Sequence, residues 1–255
     1  MPGALSSAVR RARGIGKLPT TLGAAELAKI SASIREVALF SARVANAEYL
    51  EKIQSVAEAV ARGEITREAA QRTLKGFLKA TGYEPEPGTE GTIQDLRSNA
   101  RLRLIIRTQS GFARGYGVCA EALQNLAKRP WFELYRREYR KEPRDWPTRW
   151  RAAGGRLSKK RFLAPITDSI WTRISDFGHP YPPFAFNSGM WVRSLSDRQA
   201  GKKAKRQTKP ALLPFDQDTK SAVLVKDAAL KKQLLKDLGP DYHVTKGVLR
   251  KKGRS

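Results

Sequence analysis

Residues 100–117 read ARLRLIIRTQSGFARGYG, a segment with helical spacing that contains three glycines. Each glycine in a helix interior costs about 1 kcal/mol relative to alanine, so Gly111, Gly115 and Gly117 need a reason to be there. Gly111 and Gly115 lie one turn apart, and an intact helix would let another backbone approach this face closely. A helix broken into two shorter ones at the glycines is the alternative.

The helix around this stretch is predicted to begin at Thr92 and to run to Lys128. Asp95 follows Thr92 by three residues, which resembles a capping box at a helix start. The segment before it, EPEPGTEG at 84–91, has two prolines, two glycines and no apolar residue, and is typical of a linker.

Upstream of the linker, residues 21–83 are predicted to form an antiparallel helical hairpin. Apolar residues recur at helical spacing from Ala24 onward; continuous to Arg62, this first helix would be about 55 Å long. Gly63 is a suitable C-cap, and Thr66 a suitable N-cap for a second helix that ends at Gly82. The stripe of the first helix comprises Ile30, Ile34, Val37, Ser41, Val44, Ala47, Leu50 and Ile53.

The remaining segments are shorter or more polar. Residues 1–20 are predicted to be a mobile basic arm, 92–195 a core region, and 196–255 a basic connector with a C-terminal helix in KDAALKKQLLKDLGP. Past Pro130 the texture favours short elements, including a strand in WFELYRREYR. The predicted fold class is mainly α: a long helical hairpin and a third long helix, then a small irregular α+β segment with a proline- and aromatic-rich loop and a basic tail.

Charge is the strongest compositional signal. The chain has 49 basic and 24 acidic residues, a net charge of +25, and residues 101–210 alone carry 25 basic and 8 acidic ones. A basic excess on folded segments predicts a surface that meets a polyanion, with a soluble basic protein that has no specific partner as the alternative. The arginines interleaved with aromatics in WFELYRREYRKEPRDWPTRWR suit phosphate contacts and stacking.

Two groups of cations are the candidate polyanion-binding residues. Helical offsets place Arg103, Arg107 and Arg114 near one face, and a solvated helix face is the alternative interpretation. The second group lies in the lysine-rich connector. The full candidate set is Arg101, Arg103, Arg107, Arg114, Lys202, Lys203, Lys205 and Arg206.

The segment FGHPYPPFAFNSGM at 177–190 is predicted to be a rigid extended loop. Its three prolines fix φ and remove three backbone donors, which excludes helix and central strand. Such a ribbon would present Tyr181, Phe184 and Phe186, either to a partner or as a clamp within the protein. The candidate docking residues are His179, Pro180, Tyr181, Pro182, Pro183, Phe184 and Phe186.

The sequence does not indicate an enzyme. It contains no phosphate-loop lysine motif, dinucleotide fingerprint, G-x-S-x-G or H-E-x-x-H. A single cysteine, Cys119, excludes an internal disulfide, and with only two histidines a structural zinc site is not expected. Asp145, Asp168 and Asp176 are interpreted as caps and turns rather than metal ligands. No cofactor is predicted, and no apolar run reaches the roughly 20 residues of a membrane span.

Several blocks resemble phage or prophage minor head proteins of the head morphogenesis family. IREVALFSARVANAEYL (34–50) and GEITREAAQRTLKGFLKATGY (63–83) are similar to their N-terminal part, and 100–117 to their R-x-I-x-R-T-x-x-x-x-A core helix. KEPRDWPTRWRAAGGR (141–156) and PITDSIWTRISDFGHPYPPFAFNSGM (165–190) resemble the continuation in one branch, so the resemblance covers roughly 24–195. Many members follow a His-Pro pair with closely spaced cysteines, and this chain lacks them after His179-Pro180.

The resemblance implies a structural, low-copy virion component that assembles in the host cytoplasm with the portal protein and the major capsid or other head proteins. It implies contact with packaged double-stranded DNA without sequence specificity, and allows a homo-oligomer in the virion. Two rivals remain: a head–tail connector or adaptor on the portal ring, and a nucleic-acid-binding module outside any virus. A nuclease or toxin domain is the weakest alternative.

Overall fold

The computed structural model describes residues 2–139, 141–207 and 228–252. In these ranges the chain forms ten helices and eight strands, and the strands make three small sheets. The fold is mixed α+β, so the prediction of a mainly α protein with a long helical hairpin is wrong. The elements are α1 (Pro2–Gly14), β1 (Gly16–Lys17), α2 (Ala24–Leu27), α3 (Ala32–Val37), β2 (Ala38–Leu39), α4 (Ala47–Arg62), α5 (Arg67–Ala80), α6 (Asn99–Gln124), β3 (Trp131–Arg136), α7 (Trp146–Ala152), β4 (Leu157–Ser158), β5 (Arg161–Pro165), α8 (Ile170–Arg173), β6 (Met190–Leu195), α9 (Asp197–Ala200), α10 (Ala228–Leu238), β7 (Tyr242–Thr245) and β8 (Val248–Lys251).

The central element is α6, one uninterrupted helix of 26 residues. It begins after Ser98, whose hydroxyl accepts a hydrogen bond from the backbone N–H of Arg101 (3.1 Å), and not at Thr92 as predicted. Asp95 instead accepts from the backbone N–H groups of Gly91 and Arg97, which holds this stretch in turns. The buried face of α6 joins a main core that also draws on α4, α5, the largest sheet and the 177–184 segment.

The glycines of α6 mark the places where other backbone segments approach it. A Cβ atom at Gly115 would collide with the carbonyl oxygen of Pro182, and one at Gly117 with the carbonyl oxygen of Ala4. A Cβ at Gly111 would lie 3.3 Å from Cδ of Pro183. The predicted close backbone approach is therefore confirmed, and the alternative of a helix broken at the glycines is wrong.

Of the helical hairpin predicted at residues 21–83, only the second half is present, as the helix pair α4 and α5. Gly63 ends α4 with a φ of 79°, and the hydroxyl of Thr66 accepts from the N–H of Ala69 (3.1 Å) at the start of α5, as predicted. The continuous helix from residue 24 is wrong, because Ser31 and Asn46 each start a new helix. Its apolar stripe serves two cores: α2 and α3 pack with the C-terminal elements, whereas α4 packs in the main core.

The predicted mobile arm at 1–20 is instead largely a docked helix. α1 lies against α6 and α4 through small side chains, with Ala8 and Ala12 in a buried cluster with Ala61 and Ala113. Small residues let the helices approach closely, so the segment becomes ordered despite its charge. Arg11 is only 2% exposed, and its guanidinium lies 5.3 Å from the ring centre of Phe112.

The largest sheet is antiparallel, with strand order β4-β5-β3-β6. The predicted strand in 131–140 is confirmed as β3, which is central and buried over its first four residues. On one face, Glu133 accepts hydrogen bonds from Arg161 on β5 (2.7 Å) and Arg193 on β6 (2.7 Å). These arginines lower the pKa of Glu133, so this buried carboxylate ties three strands together.

The C-terminal elements form a second, smaller core with the N-terminal ones. The predicted C-terminal helix is confirmed as α10, which buries Leu234 and Leu238 against the residues of α2 and α3. β7 and β8 form a hairpin beside it, and Leu249 bridges to Thr20. Residues 208–227 and 253–255 of the predicted connector and tail lie outside the described residues. Segment 84–91 contains neither helix nor strand, and the main core contains residues from both sides of it.

Candidate polyanion-binding surface

The four arginines predicted on α6 point to two sides of the helix: Arg103 is exposed, and the other three are half-buried. At about 100° per residue, Arg103, Arg107 and Arg114 lie within about 40° of one another, whereas Arg101 points to the opposite side. Arg101 donates hydrogen bonds to the hydroxyl of Ser41 and to the carbonyl of Ala42 (2.8 Å), and burial lowers its pKa. Arg101 therefore joins α6 to the chain before α4, and its place on a polyanion-facing surface stays a prediction.

Arg103 is exposed and faces the first turn of α5. The pKa of Glu68 in that turn is lowered mainly by hydrogen bonds from its own backbone N–H and from Thr66, with smaller contributions from the charges of Arg67 and Arg103. The charge of Arg103 therefore acts on the turn of α5 that contains Arg67, a residue that the sequence did not single out.

The other two arginines line an open pocket, here called the arginine pocket, with two arginines from other elements. Arg67 is the first residue of α5, and Arg137 follows β3. One acidic residue, Glu138, is part of the wall. The lining residues are Arg67, Arg107, Thr108, Gly111, Arg114, Arg137, Glu138, Pro183, Ala185, Asn187, Ser188, Gly189, Met190 and Trp191.

The fold holds the guanidinium groups of this pocket in place. Arg114 donates to the carbonyl oxygen of Val60 (2.7 Å) in the last turn of α4, and this oxygen also accepts from the N–H of the C-cap Gly63 (3.2 Å). Arg107 donates to Oδ1 of Asn187 (3.2 Å) and lies 3.9 Å from a carboxylate oxygen of Glu138. These contacts position both groups before any ligand arrives, which lowers the entropy lost on binding.

The positive charges of the pocket also act on one another. Burial lowers the pKa of Arg114, and the like charges of Arg67 and Arg137 lower it further. An anion placed among these three guanidinium groups would relieve that repulsion. The guanidinium geometry suits phosphate oxygens, which it can bind through two parallel N–H groups.

One aromatic side chain, Trp191, lines the same pocket, and two more are chain neighbours of its lining residues. The guanidinium of Arg137 lies 5.1 Å from the ring centre of Trp191. Tyr139 is 85% exposed and Phe186 is 49% exposed, and each is the chain neighbour of a pocket residue. The arginine and aromatic interleaving noted in the 131–151 segment pointed to this region, but nothing in the sequence joined it to Arg67.

The 177–190 loop builds a wall of the pocket from inside the protein. His179, Tyr181 and Phe184 are at most 1% exposed, and the ring centres of His179 and Tyr181 stack at 5.1 Å. These three side chains therefore pack inside the chain, as an internal clamp would, and docking of the loop to a partner stays a prediction. Burial follows because Gly111 and Gly115 leave room for Pro182 and Pro183 against α6. Pro180 and Pro183 are half-buried, and of the seven candidate docking residues Phe186 is the exposed one.

The second predicted patch lies apart in sequence, in the connector after α9. Lys202, Lys203, Lys205 and Arg206 are all exposed. The connector is held at both ends, because the N–H of Ala204 donates to Asp197 (2.9 Å) and the Gln207 amide donates to the carbonyl of Pro130 (2.7 Å).

The groups considered for catalysis or metal binding have structural partners. Asp145 caps α7 by accepting from the N–H of Thr148 (3.0 Å), and Asp176 pairs with Arg144 (3.0 Å) and Arg149 (2.6 Å). Asp168 accepts from the N–H of Ile170 (2.8 Å). Across residues 2–139, 141–207 and 228–252, the structure shows no group of three or more His, Cys, Asp or Glu side chains that could hold a metal ion.

Cys119 is buried in α6. Burial raises the pKa of its thiol to about 12, which favours the protonated form at neutral pH.

No similarity to a known protein tests the resemblance to phage head proteins, so it stays a prediction. It depends on the sequence blocks quoted above, and the arginine pocket is the structural feature from which a function can be argued. No protein-family model, curated protein or solved structure matches this chain.

Proposed function

We propose that this protein is a structural minor head protein of a phage virion that associates with the portal and capsid and contacts packaged double-stranded DNA without sequence specificity. It acts without catalysis, in the head or portal region of the virion, after assembly in the host cytoplasm. The arginine pocket is the observation that carries the DNA contact. The phage setting depends on the sequence resemblance alone.

The pocket supports phosphate binding better than a diffuse basic surface would. Four arginines from three parts of the chain meet at one site, and two of them are held by neighbouring groups. The connector cations Lys202, Lys203, Lys205 and Arg206 supply additional exposed charge. Phosphate contacts of this kind read charge and spacing, not bases, which is why we propose binding without sequence specificity.

Membrane attachment through a spanning helix finds no support in the described ranges. No helix there combines the length and the apolar character needed to cross a bilayer.

The first experiment is a salt titration of DNA affinity with the full chain. Two unrelated duplexes of about 30 base pairs should bind equally, and the logarithm of the affinity should fall linearly between about 50 and 200 mM salt. Replacing the four connector cations by glutamine should make this slope shallower. An affinity that barely changes with salt, or that differs strongly between the two duplexes, would contradict the proposed phosphate contact.

The second experiment co-expresses the chain with the portal protein of its own gene neighbourhood and measures the mass of the purified complex. A portal ring with several copies of this chain supports the virion role. A fixed stoichiometry matched to the ring would favour the head–tail connector instead. Salt-sensitive DNA binding without portal association would favour a nucleic-acid-binding module outside any virus.

A further inference from the structure

We infer that the arginine pocket, together with the exposed rings of Tyr139 and Phe186, binds single-stranded DNA, with phosphates on the arginines and bases on the rings. The inference rests on the proposed DNA contact and adds that this site binds a single strand more tightly than a duplex. It concerns a pocket in which four arginines have two exposed aromatic residues as chain neighbours of the wall.

The rings belong to the same structural unit as the pocket. Tyr139 follows Glu138 and Phe186 precedes Asn187, and both Glu138 and Asn187 contact Arg107. The backbone N–H groups of Arg137 and Glu138 donate to the carbonyl of Gly189 (2.8 and 3.1 Å), which locks the two segments together. Each ring therefore lies within one residue of the pocket wall.

The exposure of the rings is what separates this site from a simple phosphate pocket. Isolated exposed aromatics are common on proteins, but these two adjoin a cluster of four arginines. The ring of Phe186 is held edge-on against Phe177, with ring centres 4.8 Å apart, so it is oriented while half of its surface faces solvent. An oriented, solvent-facing ring is a suitable platform for stacking.

Single-stranded DNA is the ligand that uses both features. In a duplex each base is stacked between its neighbours, so its faces cannot be reached by protein rings without unstacking. A single strand exposes those faces, and base–aromatic stacking tolerates any sequence because every base has a π-face. Arginines alone would bind both forms, whereas the rings add affinity only for the single strand.

The test compares a single strand of about 12 nucleotides with the duplex of the same sequence, by fluorescence anisotropy on the full chain. The Tyr139→Ala/Phe186→Ala variant is expected to lose about tenfold or more in single-strand affinity, with duplex affinity and salt slope unchanged. Arg107→Gln/Arg137→Gln should weaken both forms and make both salt slopes shallower. Ile93→Ala removes an exposed apolar side chain outside the pocket and should change neither affinity.

Tyr139→Ala alone is the second variant, since a side chain that is 85% exposed can be removed without disturbing the core. Its single-strand affinity should also fall. Equal binding of both DNA forms, unaffected by the ring variants, would overturn the inference and leave the proposed duplex contact standing. No binding of either form at about 50 mM salt would overturn both. Lost portal co-purification with unchanged single-strand affinity would assign the rings to protein docking and also overturn the inference.

Discussion

The glycines and the arginines of α6 do different work on one helix. Gly115 and Gly117 admit the backbone of Pro182 and Ala4, so they join α6 to the rest of the fold. Arg107 and Arg114 belong to the same helix and line an open pocket. Stability and binding are therefore separable in α6. The glycine contacts should determine the unfolding free energy, and the arginine contacts should determine the affinity for DNA.

The largest expected effect comes from filling the glycine contacts. Gly115→Ala should lower the unfolding free energy by about 3 kcal/mol or more, because its Cβ would collide with a backbone carbonyl that cannot rotate away. Gly111→Ala should lower it less, since its Cβ meets proline carbons at 3.3 Å. Urea denaturation measures both values.

Gly76→Ala is the matched control within α5. Nothing lies within 4 Å of a Cβ at this position, so the variant should gain about 0.5–1 kcal/mol from helix propensity. DNA affinity per folded molecule should stay unchanged in Gly76→Ala, because Gly76 lies outside the arginine pocket. Equal unfolding free energies of the Gly76, Gly111 and Gly115 variants would contradict the proposal that the glycine contacts determine stability while the arginine contacts determine DNA affinity.

A smaller effect is the pH dependence of the buried loop. Burial lowers the pKa of His179; the charge of Glu36, whose carboxylate oxygen lies 3.7 Å from Nδ1, opposes this, while the charges of Arg11 and Arg35 lower it further. Because the folded pKa is below the unfolded value, the unfolded chain binds more protons, and stability falls as the pH drops through the unfolded pKa of about 6.5. The slope from this group is at most about 1.4 kcal/mol per pH unit.

His179→Phe tests this assignment, because phenylalanine retains a ring for stacking on Tyr181 but carries no titrating group. Urea denaturation at about pH 7.5 and about pH 5.5 should show a smaller loss of stability for the variant than for the wild type. The same loss in both proteins would mean that other groups cause the acid sensitivity.

The smallest expected effect is on stability at the pocket itself. Arg67 places a positive charge at the positive end of the α5 dipole, so Arg67→Gln should raise the unfolding free energy by about 0.3 kcal/mol. The same substitution removes one cation of the pocket. The slope of log affinity against log salt for duplex DNA should therefore fall in magnitude by about 0.9.

Arg72→Gln is the matched control, since Arg72 lies about 140° around the same helix from Arg67 and is also exposed. It removes the same charge from outside the pocket and should leave the salt slope nearly unchanged. Equal slope changes in the two variants would show that net charge, and not the pocket, determines DNA binding.

Local signals in the sequence predicted individual elements well. Gly63 and Thr66 mark the turn between α4 and α5 because their conformational and capping preferences act within a few residues. The apolar stripe from residue 24 led to the wrong prediction of one continuous helix. An unbroken helical spacing does not show which residues share a core. Ile34 and Ile53 occupy the same stripe but pack in different clusters.

The same distinction explains why only part of the arginine pocket was predicted. Arg103, Arg107 and Arg114 share a helix face, so their spacing was enough to group them. Arg67 and Arg137 come from distant segments, and only the packing of α5 and β3 around α6 brings them to the same site. For the same reason, the sequence did not decide whether the 177–190 loop is buried.

The amino-acid sequence alone predicts the strong positive charge, the caps of α5 and the rigid character of the proline loop. Each of these follows from composition or from interactions within a few residues. The tertiary structure decided that α1 docks, that Arg101 turns inward, that the proline loop is a buried clamp, and that four arginines meet at one pocket. Those outcomes depend on contacts between residues far apart in the chain, which local spacing and propensity do not encode.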